Sequence, residues 1–308
     1  MSFLLLVQRA KAPFCSHLLP FAPATTTTVA PVPITSFTND GLTFDVTDSG
    51  PADGVPIVLL HGFPQRASSW DLVTPLLNQR GYRTIAPDQR GYSPGARPKG
   101  RKQYAMPHLA ADVAALIDEI GSPVHLVGHD WGAGVAWAVA ANYPDKIKTM
   151  TAVSVGHPGA FIRSMVRSNQ VLRSWYMLAF QFPKLPERVM SSGNARATAA
   201  MAQFGMTPVM VEQFHNNIVD DGALTGGLNW YRGLPFTPPS YVGRVSAPTT
   251  VVWSDDDAAL SMRQAVDSDR FVDAPFTFVH VDGASHWIPE ERPGELTEAI
   301  LARIASVD

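Results

Sequence analysis

The chain has 308 residues, 45% hydrophobic and 17% charged, a length and composition that fit one large α/β domain with an insertion and exclude a disordered or fibrous chain. Its 24 basic and 27 acidic residues leave a formal charge of -3 with no long run of one sign, so no footprint for nucleic acid or acidic lipid is visible and a small, uncharged organic partner is expected. A single cysteine, Cys15, excludes an intrachain disulfide framework and a multi-cysteine metal site.

Residues 1–33 differ from the rest. Phe3 to Val7 is apolar but short, Arg9 and Lys11 follow it rather than precede it, and a threonine run and prolines come next. A disordered N-terminal extension, or a start codon placed too early, fits this order better than a secretory signal. No window holds the roughly 18 uninterrupted apolar residues of a membrane span, so a soluble, cytoplasmic protein is expected.

From Ile34 the chain is patterned. Leu42 to Val46 alternates like an edge strand, and Pro56 to Leu60 is a continuous apolar run ending in His61-Gly62, as expected for a strand covered on both faces. Trp70 to Gln79 reads as a helix, Tyr82 to Asp88 as a strand, Tyr104 to Ile120 as an amphipathic helix, Val124 to Val127 as a strand and Gly132 to Asn142 as a small-residue helix. This alternation predicts a doubly wound, mostly parallel sheet. After a strand at Met150 to Val155 the pattern turns helical until about Tyr241. Strands return at Pro248 to Trp253 and Phe276 to Val281, and a last helix runs from Pro293 to Ala305. The expected division is a core of residues 34–155 and 245–308 with a helical lid, 156–244, inserted over the sheet's carboxyl edge.

The strongest local signal is Gly128-His129-Asp130-Trp131-Gly132 between a strand and a helix. Small residues two before and two after the centre permit a strained strand-to-helix turn that presents Asp130 as a nucleophile. A helix N-cap would explain the aspartate but not both glycines. A carboxylate attacks amides poorly, yet it displaces a leaving group at saturated carbon to give an alkyl ester, which points to epoxides or alkyl halides. Hydrolysis of that ester places an oxyanion on what was a nucleophile oxygen. The backbone N–H groups of Phe63, in His61-Gly62-Phe63-Pro64, and of Trp131 are the expected donors to it; Pro64 is a candidate for a cis bond. His286, on a loop after the last strand, is the expected base. Asp255, Asp256 and Asp257 all follow the Val251 to Trp253 strand, and any of them could orient the imidazole. His157 is a candidate pocket residue, and Met177, Phe180, Phe182 and Met206 are expected in an apolar pocket or lid core.

These motifs, together with Asp88-Gln89-Arg90-Gly91-Tyr92-Ser93, Trp253-Ser254-Asp255-Asp256-Asp257 and Gly283-Ala284-Ser285-His286-Trp287, resemble the epoxide hydrolase and haloalkane dehalogenase branch of the α/β-hydrolase superfamily from about Ile34 to the C-terminus, with epoxide hydrolases the closer match. The resemblance implies an α/β-hydrolase fold, no cofactor and no metal. It selects Asp257, four residues after Trp253, as the acid. Gly226-Gly227-Leu228-Asn229-Trp230-Tyr231-Arg232 resembles the segment that carries a ring-opening lid tyrosine, which implies Tyr231. Ser174-Trp175-Tyr176 resembles a second such segment and implies Tyr176, whereas alignment on Gln181-Phe182-Pro183 lands on Ala179, which has no donor. The expected activity is conversion of a small apolar epoxide to a diol with water as second substrate. The alternatives are a haloalkane or haloacid dehalogenase using Trp131 for halide, and a non-catalytic small-ligand receptor.

Overall fold

The computed structural model describes residues 32–307; the expectations placed on residues 1–31, Cys15 included, lie outside the described residues. One eight-stranded sheet runs in the order β1-β2-β4-β3-β5-β6-β7-β8. The strands are β1 Ser36–Asn39, β2 Leu42–Ser49, β3 Val55–Leu60, β4 Tyr82–Pro87, β5 Val124–His129, β6 Ile147–Val153, β7 Thr249–Ser254 and β8 Phe276–Val281. β1 and β2 join antiparallel, and every pair from β4 to β8 is parallel.

Two layers of helix cover the sheet, which is why its central strands read as unbroken apolar runs. In β3 the side chains alternate between two cores: Val58 and Leu60 pack with the helices Met106–Ile120 and Trp131–Asn142, and Ile57 and Leu59 pack on the opposite face with Leu77, Leu296 and Ile300. The helix Met106–Ile120 buries Met106, Leu109, Ala110, Val113 and Ile117 at helical spacing, starts with Pro107 in its first turn and stops at Gly121, whose φ of 79° ends it in the left-handed conformation.

The chain leaves β3 toward β4 and then crosses back to β5 on the other side, so winding reverses between β3 and β5. The carboxyl ends of two neighbouring parallel strands diverge there and leave a crevice. Because Leu60 pairs with Gly128, the loop after β3 and the turn after β5 face each other in that crevice.

The segment between β6 and β7 is helical: Pro158–Arg167, Gln170–Arg173, Trp175–Ala179, Leu185–Met190, Ala195–Gln203, Pro208–Phe214 and Leu224–Gly233. Two local expectations need correction. Leu42–Ser49 is not the edge strand, because β1 pairs outside it and stacks Phe37 on Phe44 at 4.6 Å. The helix expected from Trp70 is a 3-10 turn, Ala67–Trp70, followed by a short helix at Thr74–Gln79, the break falling where Pro75 needs a first-turn position. Among the described residues no helix is long and apolar enough to cross a membrane.

Candidate active site

Asp130 stands between β5 and the helix Trp131–Asn142 with φ 50° and ψ -121°, a left-handed backbone that is strained for a residue with a Cβ. Such a conformation costs about 1–3 kcal/mol and persists only where the surroundings enforce it. Three glycines do so here. A Cβ on Gly128 would lie 2.3 Å from the Gly132 carbonyl oxygen, one on Gly132 2.2 Å from that of Leu60, and one on Gly62 2.4 Å from the Asp130 Cβ. No side chain fits at these positions, so the loop after β3 closes directly onto Asp130.

That closure brings the Phe63 N–H to Asp130 Oδ1 at 2.8 Å, and the Trp131 N–H also donates to this carboxylate. The Phe63-Pro64 peptide is cis. His61 anchors the loop from below: its Nε2 accepts from the Gln89 N–H at 3.0 Å, and its carbonyl accepts from Gln89 Nε2 at 2.6 Å. Burial pushes His61 down to about 4, so its ring is neutral.

Across the crevice, His286 Nε2 faces Asp130 Oδ2 at 3.4 Å and His286 Nδ1 bonds Asp257 Oδ2 at 2.7 Å. Asp257 is buried, and its other oxygen accepts the N–H groups of Ala259 and Leu260, both at 2.8 Å. Of the three candidate acids the structure brings Asp257 to the imidazole; Asp255 and Asp256 are exposed, Asp255 accepting the Gly283 N–H. The imidazole loop is pinned on both sides, since the His286 carbonyl accepts from Ser154 Oγ and His129 Nε2, each at 2.9 Å, and the Ser285 carbonyl accepts from Ser254 Oγ at 2.6 Å.

Charge at the site is decided by competition. Burial would lower His286, but the charge of Asp257 and the contact with Asp130 outweigh it and raise the imidazole to about 10. Burial would likewise raise Asp130, yet His286 and the Trp131 amide hold it below the usual carboxylate range. At neutral pH the His286 imidazole is therefore protonated and faces an ionised Asp130. Its neighbour His129 is pushed down to about 4, by burial first and by the charge of His286 second.

Tyr231, in the helix Leu224–Gly233, and Tyr176, in the helix Trp175–Ala179, line one cavity with Asp130 and Trp131. The cavity measures about 170 Å³ and is otherwise walled by apolar groups such as Met106, Phe161 and Met177. The two tyrosine rings meet edge to face at 6.0 Å. The Trp131 and Tyr231 rings also meet edge to face, at 4.9 Å. Burial drives the Tyr231 hydroxyl well above its ordinary value, and Tyr176 rises for the same reason, so both are protonated donors.

Distant residues hold this constellation. Trp230 Nε1 donates to the Arg90 carbonyl at 2.7 Å, and Arg90 is locked in a two-pronged pair with Asp112 at 2.6 and 2.8 Å. Arg232 reaches the Phe180 and Phe182 carbonyls and Glu187, fixing the Tyr231 helix to the segment that follows Tyr176. Arg173 and Gln170 bond carbonyls of the Asp257 loop. His157 does not line the cavity. Its Nδ1 accepts the Gly159 N–H at 3.0 Å, capping a helix, and its Nε2 donates to the Gly243 carbonyl at 2.9 Å. Phe182, expected in the pocket or lid core, is 59% exposed. Gln65 and Glu290, whose side chains bond each other beside the site, belong to no sequence motif; their one signal is nearness to Phe63 and His286 in the chain.

The family model for the alpha/beta hydrolase fold matches residues 55–293. The chain is 33% identical over 274 residues to the AB hydrolase superfamily protein YfhM of Bacillus subtilis, covering 85% of this chain and 94% of that protein. It is 30% identical over 312 residues to Epoxide hydrolase A of Mycobacterium tuberculosis, covering 87% and 96%. Among solved structures, Epoxide Hydrolase A from Mycobacterium thermoresistibile aligns with a TM-score of 0.76 at 28% identity, covering 89% of this chain and 98% of that one.

Proposed function

The chain belongs to the α/β-hydrolase fold family and, within it, to the epoxide hydrolases, and from that premise we propose that it converts a small apolar epoxide to a vicinal diol through an ester on Asp130. The observation that carries the reading is the pairing of a carboxylate held by two backbone N–H groups with a tyrosine hydroxyl across one apolar cavity. The helical segment between β6 and β7 acts as the lid that brings the tyrosines there.

In the first half-reaction an Asp130 oxygen attacks a ring carbon, the ring C–O bond breaks, and its electron pair goes to the oxygen. Tyr231 and Tyr176 hydrogen-bond to that oxygen as charge develops. The ester is neutral, so His286 loses one of the two carboxylates that held its proton. That proton passes to the new alkoxide, giving the hydroxyl, and a neutral imidazole remains. In the second half-reaction His286 takes a proton from water, whose oxygen adds to the Asp130 carboxyl carbon. The charge on the carboxyl oxygen is met by the Phe63 and Trp131 amides. Collapse breaks the ester bond and the carboxyl proton passes to the departing alkoxide, leaving the diol, the carboxylate and the imidazolium. Asp257 orients the ring and stabilises its cation throughout.

A dehalogenase reading would use the Trp131 indole N–H for halide, and that side chain lies against Tyr231, the two rings edge to face at 4.9 Å. Turnover of a panel of styrene oxide, a fatty epoxide, a bromoalkane and fluoroacetate tests the assignment. Diol from an epoxide is the expected result. Halide release without diol would transfer the chain to the dehalogenases, and ligand binding without turnover of any member would make it a receptor.

A further inference from the structure

A second cavity, of about 320 Å³, lies beyond the loop after β3, between that loop and the Met206 to Ile218 segment. Its walls are more polar than those of the tyrosine cavity and include Gln65, Arg66, Ser69, Gln213, Asn217 and Glu290. Of the nine buried side-chain nitrogen or oxygen atoms with no hydrogen-bond partner among the described residues, three belong to its lining: Gln65 Oε1, Ser69 Oγ and Glu290 Oε2. A buried oxygen left without a donor costs about 1–3 kcal/mol, so three around one space call for a donor from outside the chain. Water is the smallest donor that suits such a space, and at about 30 Å³ each several would fit.

The position of this cavity gives it a role. Gln65 is two residues beyond Phe63, whose N–H holds Asp130, and Glu290 is four beyond His286. Gln65 Nε2 donates to Glu290 Oε1, so the pair ties the loop whose Phe63 N–H holds Asp130 to the short helix Ile288–Glu291 that follows His286. The tyrosine cavity, by contrast, offers mostly apolar wall.

We infer that substrate and water reach Asp130 from different sides, and that Glu290, paired with Gln65, is a positioning residue that holds the hydrolytic water for His286. The inference rests on the reading of Asp130 as the ester-forming group. Burial raises the Glu290 carboxyl to about 8 against the opposing bond from Gln65 and the charge of His286. The charged groups Arg66, Asp71 and Glu291 line the same cavity. Neutral Glu290 can donate its O–H to the water, which gives one hydrogen to Gln65 Oε1 and leaves the other for His286.

Single-turnover rapid quench with intact-mass detection, using styrene oxide, separates ester formation from ester breakdown. Glu290→Ala is expected to leave formation within about twofold of wild type and to slow breakdown about 10-fold or more. Ester then accumulates in the steady state, and kcat and KM fall together while kcat/KM holds, a pattern that loss of folding does not produce. The exchange Gln65→Glu with Glu290→Gln keeps one acid and one amide and should restore breakdown to within about threefold. Should Glu290→Ala fail to fold, Val209→Trp at the exposed wall of the cavity takes its place and should slow breakdown alone. Unchanged breakdown, or equal loss in kcat and kcat/KM, overturns the inference. Absence of any ester in wild type and in His286→Gln instead removes the Asp130 reading beneath it.

Discussion

At Asp130 and His286 single residues carry opposed tendencies, and the outcome sets the chemistry. Burial disfavours both charges, but Asp257 and then Asp130 hold the proton on His286, and His286 in turn keeps Asp130 ionised. On the proposed mechanism, consuming the charge on Asp130 would release the proton on His286 and turn an acid into the base needed next. The same logic makes the tyrosines matter for epoxides. An alkoxide is far more basic than a halide ion, so a hydroxyl donor counts for more with the former. Tyr231→Phe keeps the ring that packs on Trp131 at 4.9 Å and removes only the donor. Its alkylation rate should fall about 10-fold or more, equivalent to about 1.4 kcal/mol of transition-state stabilisation, in single-turnover kinetics with circular dichroism as the folding control. Tyr176→Phe should act in the same direction, because Tyr176 faces the same cavity. An unchanged alkylation rate in the Tyr231 variant would remove it from ring opening.

The elements position these residues by backbone contact. The helix that carries Tyr231 crosses the turn after β4 so closely that a Cβ on Gly226 would lie 2.2 Å from the Gly91 carbonyl oxygen. Gly226→Ala should therefore force the helix outward, costing about 2 kcal/mol of stability by overpacking and slowing alkylation more than ester breakdown. A thermal melt and single-turnover traces check this; wild-type values in both would show that the contact is slack. The strands from β2 onward and the placement of Asp130 and His286 at one sheet edge could be read from the sequence, because parallel strands buried on both faces leave continuous apolar runs and sharp turns demand glycine, whereas Asp257 was separated from its two neighbours only by the family resemblance and the lid read only as one helical block. The edge strand β1 was missed since four residues are too few for a period. His157 was misplaced because a capping imidazole and a pocket imidazole look alike in sequence. Gln65 and Glu290 went unseen because their bond spans 225 residues and neither belongs to a local pattern.

Across the whole molecule the buried titrating groups tie stability to pH. His286 and Glu290 both hold protons more tightly in the folded chain, at about 10 and about 8 against ordinary values of 6.5 and 4.5. A raised folded value means that the stabilisation is complete below the ordinary value and is lost as pH rises through the folded one. The melting temperature should thus fall between pH 6 and 9, and Glu290→Gln should flatten the decline; parallel curves for the two proteins would contradict the assignment. The proposed mechanism requires a covalent ester on Asp130, and intact mass of His286→Gln mixed with styrene oxide tests for it directly. Formation needs the carboxylate and breakdown needs the base, so this variant should gain the mass of one substrate and keep it, with the adduct mapping to the peptide that contains Asp130, while Asp130→Asn gains nothing. A wild type that turns over epoxide beside a His286→Gln variant that never gains mass would contradict the covalent mechanism.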